Sequence, residues 1–136
     1  MKSTPVFGSC LCGSIAYEVT HIENATAHCH CTMCRKFHGA AFATFGEAKR
    51  SNFRWLAGEE LLKNYTASNG AVRKFCAQCG SSLIFESAGC ARDVIEFSLG
   101  TLDSVSHAKP DAHIFTDYKA DWVEIADNLP QYKEGR

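Results

Sequence analysis

Cys29-His30-Cys31-Thr32-Met33-Cys34 places three cysteines within six residues, spaced Cys-x-Cys-x-x-Cys. Three thiolates at that spacing can grip one face of a soft tetrahedral ion such as zinc and leave one corner unclaimed by local sequence. A closed corner makes a structural site, whereas an open one admits water or a substrate thiol. The flanking chain carries short alternating runs and no long segment with a 3.6-residue period, so the cluster sits in a mainly β protein.

Two more cysteine pairs lie outward from this centre. Gly8-Ser9-Cys10-Leu11-Cys12-Gly13 comes before it and Phe75-Cys76-Ala77-Gln78-Cys79-Gly80 after it. In an extended segment Cys10 and Cys12 project to one face and can reach one ion, and Gly13 lets the chain turn away. Each pair supplies half a tetrahedral site. Cys10, Cys12, Cys76 and Cys79 together form a Cys₄ structural centre that staples residue 12 to residue 76. Cys29, Cys31 and Cys34 are left as a second, catalytic-type centre. This four-plus-three partition is the simplest; the sequence leaves open whether Cys90, His28, His30 or His38 closes the middle site.

Other readings of these residues are weaker. A redox Cys-x-x-Cys pair belongs in a βαβ context, and a Cys-x-Cys disulfide closes a strained ring. An isolated Cys90 reads as a small buried hydrophobe. On a strand, His28 and His30 share the face opposite Cys29, which favours support or packing over ligation. His21, His107 and His113 read as surface or satisfied polar positions, and both tryptophans as core. Arg35 and Lys36 follow Cys34 directly; they sit on a solvated turn or offset the net −1 of a zinc–tris-thiolate and draw in an anionic ligand. Arg35, Lys36 and His38 are the candidate substrate contacts.

The strand pattern is legible along most of the chain. Ser14 to Thr20 alternates with Ile15, Tyr17 and Val19 on one face, a half-buried strand. Ala25 to Cys31 reads as a second strand. Arg35 to Gly39 reads as a turn or short helical piece stopped by Gly39. Ala41 to Gly46 is a buried strand, and Phe53 to Ala57 and Leu61 to Thr66 are strands around a turn at Gly58. Ser68-Asn69-Gly70 marks a tight turn before Val72 to Phe75. Leu83 to Phe85 and Val94 to Leu99 are β-type runs joined by a turn containing Gly89 and Cys90. The tail carries His113-Ile114-Phe115 and Trp122-Val123-Glu124-Ile125. No repeat or linker interrupts residues 1–136, which read as one zinc domain.

At 136 residues and 46% hydrophobic content the chain can bury a real core. A net charge of −1 argues against nucleic acid and acidic membranes. Seven thiolates holding two divalent ions would make the protein about three units more negative still. No apolar run reaches the ~20 residues of a membrane span, and the N-terminus lacks the pattern of a secretory signal. The expectation is a cytoplasmic protein, where eight cysteines point to metal rather than disulfides.

The three cysteine clusters, with Arg35-Lys36 after the second and Gly80 after the third, resemble the glutathione-dependent formaldehyde-activating enzyme family. The tail His113-Ile114-Phe115…Lys119-Ala120-x-Trp122-Val123-Glu124-Ile125…Leu129-Pro130-Gln131-Tyr132 is similar to that family's C-terminal pattern. The family also includes centromere protein V. The resemblance covers nearly the whole chain and implies a β-tent fold of small antiparallel sheets around zinc. It also implies two zinc ions, one structural on the Cys₄ set and one on Cys29, Cys31 and Cys34 associated with glutathione and activity. A three-ligand site holds metal more weakly than a Cys₄ site, which allows partial occupancy of the second zinc.

The leading functional expectation is a carbon–sulfur lyase/synthase that condenses glutathione with formaldehyde to S-(hydroxymethyl)glutathione, with Cys31, the central thiolate, as the most reactive ligand. One rival is an enzyme acting on another small thiol or aldehyde. A second is a non-catalytic zinc-stapled binding module, which four protein ligands at the middle site would favour.

Overall fold

In the segment after the first cysteine pair, Ile15, Tyr17 and Val19 are all buried, so the alternation read from the sequence sets which face of the strand meets the core. The structure, a computed structural model, describes residues 4–88 and 93–136. Its strands are β1 (Val6–Ser9), β2 (Ala16–Val19), β3 (Ala27–Cys29), β4 (Ala43–Lys49), β5 (Phe53–Ala57), β6 (Leu62–Thr66), β7 (Val72–Cys76), β8 (Ser82–Glu86), β9 (Val94–Ser98) and β10 (Ala112–Ile114). One α-helix, α1 (Thr32–His38), stands between β3 and β4. The protein is mainly β, as expected.

The strands form two sheets. One has the order β1-β2-β5, the other β10-β3-β4-β9-β8-β7-β6. Every pairing is antiparallel except β10 with β3. The larger core cluster combines Val6, Tyr17 and Val19 from the small sheet, and Ile15 just before β2, with Ala48, Leu83, Ile84, Ile95 and Phe97 from the large one. Tyr17 is at its centre, stacked on Phe53 with ring centroids 5.0 Å apart and meeting Trp55 edge-on at 6.0 Å. Its hydroxyl bonds Thr101 Oγ1 at 2.5 Å, which satisfies the one polar atom that the buried ring brings with it. A second cluster, built on Cys29, Cys34, Ala43 and Phe45, lies where β3, β4 and α1 meet.

Several expectations change in detail. The second strand is shorter than Ala25–Cys31, because Cys31 becomes the N-cap of α1 and its sulfur accepts the Cys34 amide. The helix starts earlier than Arg35 and ends on Gly39, whose left-handed φ of 60° gives the stop a glycine accommodates best. Ala41–Gly46 is displaced to Ala43–Lys49, since Glu47 and Ala48 continue the ladder with Glu96 and Ile95 of β9. β5 and β6 flank a turn but belong to different sheets. Trp122 is 71% exposed and not core, and residues 122–125 form no strand. The Gly89-Cys90 turn, and Cys90 as a ligand, lie outside the described residues. No helix among the described residues is long and apolar enough to cross a membrane.

Candidate metal centres

β1 runs into a turn in which the Gly13 amide bonds the Cys10 carbonyl at 3.0 Å, so Cys10 and Cys12 converge through a turn and not an extended segment. β7 runs into a matching turn closed by Gly80 N–H to the Cys76 carbonyl at 2.8 Å. The Leu11 amide reaches Ser81 Oγ at 2.8 Å and ties the two turns together. The four sulfurs of Cys10, Cys12, Cys76 and Cys79 all lie within 4.8 Å of one another. Cys10–Cys12 is 3.6 Å and Cys12–Cys76 is 3.9 Å. Sulfurs at the corners of a tetrahedron with metal bonds of about 2.3 Å stand roughly 3.8 Å apart, so this cradle fits zinc. The Ile15 amide donates to Cys10 sulfur, and the amides of Gln78 and Cys79 donate to Cys76 sulfur. Because β1 belongs to the small sheet and β7–β8 to the large one, this centre joins the two sheets.

The middle centre forms where β3 ends and α1 begins. Cys29, Cys31 and Cys34 bring their sulfurs within 4.8 Å of one another, with Cys29–Cys34 at 3.4 Å. No fourth His, Cys, Asp or Glu joins that group among the described residues. Hydrogen bonds from the Cys29 and Cys34 thiols lower the Cys31 pKa. The same contacts with Cys31 and Cys34, together with burial, push Cys29 up. Phe85, Ile114 and Phe115 wall the cluster. Phe115 holds a left-handed φ of 56°, costly for a bulky residue, and is fixed by its amide bonding Glu134 O at 2.9 Å.

Arg73 supplies the charge that this centre needs. It is 3% exposed, donates from Nη2 to Cys34 Sγ at 3.5 Å, and lies over the rings of Phe37 and Phe85 at 5.4 and 4.8 Å. Its Nη1 is enclosed without a partner, and no carboxylate pairs with it among the described residues. A buried guanidinium needs a nearby negative charge. Three thiolates with a divalent cation would carry −1, which Arg73 would neutralise. The donor set and the buried cation therefore both fit a metal ion here. Sequence reasoning missed Arg73. Its only signal was an arginine between Val72 and Phe75, on a strand that ends in a ligand.

The other predicted contacts do not converge. Lys36 is exposed on a groove with Met33, Phe37, Tyr65, Arg73 and Phe75. His38 faces a different cleft with Phe42, Thr44 and Ser82, and its Nε2 is 3.2 Å from Ser82 Oγ. Burial and the Arg73 charge bring His38 down to about 4, so it is neutral at pH 7. Arg35 is half-buried with Nε unpartnered. His28 and His30 pack in tilted ring contacts against Phe42 and His113.

The model of the glutathione-dependent formaldehyde-activating enzyme family matches residues 5–118. The chain belongs to that family. An uncharacterised lyase of Schizosaccharomyces pombe is 24% identical over 125 residues, covering 92% of this chain and 88% of that protein. A Halomonas elongata protein provisionally named as a glutathione-dependent formaldehyde-activating enzyme is 26% identical over 126 residues, covering 87% and 79%. The crystal structure of a Rhodobacter sphaeroides protein superposes with a TM-score of 0.61 at 26% identity, covering 74% of this chain and 91% of that one. This formaldehyde-activating family member thus has relatives carrying both lyase and formaldehyde-activation names.

Proposed function

We propose that this protein is a zinc-dependent carbon–sulfur enzyme that condenses glutathione with formaldehyde to S-(hydroxymethyl)glutathione at Cys29, Cys31 and Cys34. The observation that carries the reading is a three-cysteine cluster with no fourth protein ligand among the described residues, neutralised by Arg73. The family match and its relatives' names support the substrate pair. Cys29, Cys31 and Cys34 would hold a zinc ion here, and such an ion would lower the pKa of a bound thiol and raise the thiolate fraction at neutral pH.

The chain's own residues prepare that site. Cys29 is buried and Cys34 is held by Arg73, so both are fixed. Cys31 is half-buried at the start of α1 and is the more accessible of the three, which makes it the ligand closest to an incoming thiol. Arg73 keeps the centre neutral, so an anionic thiolate enters without meeting a net negative charge. The apolar wall of Phe85, Ile114 and Phe115 limits water around the sulfur. Four Cys ligands between the sheets hold a second, structural zinc.

Exchange NMR on zinc-loaded protein with glutathione and formaldehyde tests the proposal against the uncatalysed rate. The expected result is clear acceleration that Cys31→Ser abolishes while the Cys₄ zinc stays bound. No acceleration with both centres filled, or full activity in Cys31→Ser, overturns it.

A further inference from the structure

On the opposite face of β3 from Cys29, a histidine cluster has a role that thiol chemistry does not use. The parallel pairing of β10 and β3 sets His113 beside His28, and β4 sets Thr44 on the other side of His28. The two imidazoles are 4.7 Å apart between ring centroids. The tail brings Asp127 back to His113, with Oδ2 2.8 Å from Nε2. One ligand atom each from His28, His113 and Asp127 lies within 4.8 Å of the other two.

Each ring is anchored through its other nitrogen. His28 Nδ1 bonds Thr44 Oγ1 at 2.7 Å, and His113 Nδ1 bonds His30 Nε2 at 2.7 Å. That leaves His113 Nε2 on the carboxylate and His28 Nε2 as the free ring nitrogen of its pair. Histidine ligands are held in this way, one nitrogen for the ion and the other fixed by a polar partner that sets ring orientation. His28 Nε2 makes no hydrogen bond among the described residues. Phe42 packs against the rings, with centroids 4.6 Å from His28 and 5.0 Å from His30. The Asp127 side chain is 46% exposed, which gives an entry path.

We propose that His28 Nε2, His113 Nε2 and the Asp127 carboxylate form a third metal site, open to water on the Asp127 side and suited to a borderline divalent cation such as zinc or ferrous iron. Two imidazoles and one carboxylate leave coordination positions free, a donor set that borderline ions accept and that differs from the all-sulfur centres. With an ion on His113 Nε2, the His113–His30 pair would keep its two ring protons in the other tautomer: His113 would hold one on Nδ1 and donate it to His30 Nε2, and His30 would hold the other on Nδ1. The Nδ1 of His30 then carries its own proton in the interior without a partner, a cost that keeps this site weaker than the Cys₄ centre.

The test uses the full chain without an affinity tag, saturated with zinc at its cysteines. Further Zn²⁺ is added in a calorimeter, and the histidine ring nitrogens are followed by ¹⁵N NMR. The expected result is one additional equivalent per chain, with the Nε2 resonances of His28 and His113 shifting and those of His21 and His107 unmoved. Thr44→Val, which removes only the anchor of His28, should weaken that equivalent by about 10–100-fold. Asp127→Asn, at an exposed position, should weaken it by at least about tenfold and leave the cysteine-bound zinc in place. Absence of the additional equivalent overturns the proposal. An additional equivalent that shifts His21 or His107 in place of His28 and His113, or that either variant leaves at full affinity, overturns it as well.

Discussion

Arg73 puts a permanent positive charge 3.5 Å from Cys34 Sγ, between two phenylalanine rings and without a carboxylate among the described residues. If it balances an anionic metal centre, Arg73→Met should weaken metal binding at the middle site by about 10–100-fold and leave the Cys₄ site unchanged. Competition with a chromophoric chelator reads both affinities. Arg73→Lys should rescue only part of the loss, because an ammonium cannot keep the planar stacking on Phe37 and Phe85. The same charge acts on His38, which burial and Arg73 hold at about 4 against an ordinary 6.5. A depressed histidine pKa means that the unfolded chain binds the extra proton. The stability carried by neutral His38 is therefore complete above pH 6.5 and is lost as pH falls toward 4. In Arg73→Met the His38 pKa should rise toward 6.5 and shrink that window, as its ring resonances would show. An unchanged His38 pKa would place Arg73 outside the electrostatics of this site.

Among the elements, β1 and β2 show how tightly the sequence is constrained away from the cysteines. Gly8 pairs with Tyr17, and a Cβ at Gly8 would lie 2.3 Å from Tyr17 Cζ. The ring cannot retreat, because Phe53, Trp55 and Phe97 surround it. Gly8→Ala should cost about 1–3 kcal/mol by overpacking, whereas Gly100→Ala, with nothing within 4 Å of its added Cβ, should be near neutral. Urea midpoints at constant zinc measure both. Equal effects of the two would mean that Tyr17 has room to move. The alternation of Ile15, Tyr17 and Val19 was legible because burial on one face writes itself into a period of two. Which strand pairs with which is not written there. β5 and β6 are neighbours in sequence yet join different sheets, and the β10–β3 pairing spans more than eighty residues. The cysteine clusters were legible from spacing alone. Arg73 and Asp127 were not, since each acquires its meaning from a partner brought in by tertiary structure.

At the scale of the molecule, the Cys₄ cluster and the Tyr17 core both join a three-stranded sheet to a seven-stranded one. The centre lies at one end of that contact, where the Cys10–Cys12 turn meets the Cys76–Cys79 turn. The three cysteines of the middle centre come from β3 and α1, and its Arg73 from β7, all on the large-sheet side. Metal loss at the two sites should therefore have different reach. Emptying the middle site frees α1 and leaves the sheets docked. Emptying the Cys₄ site removes the staple, and metal binding at such a centre counts directly as folding free energy, so several kcal/mol are lost. A strong chelator should accordingly act in two phases, followed by amide hydrogen exchange. The first should speed exchange in Thr32–His38, because a three-ligand site releases its ion more easily. The second should speed exchange in β1, β2 and the β7–β8 turn together, with a fall in the thermal midpoint. Cys76→Ser should reproduce the second phase alone, and Cys31→Ser the first. Simultaneous deprotection of α1 and β1 at every chelator concentration would mean that the two centres are one cooperative unit, and that the division of labour between structural and reactive cysteines does not hold.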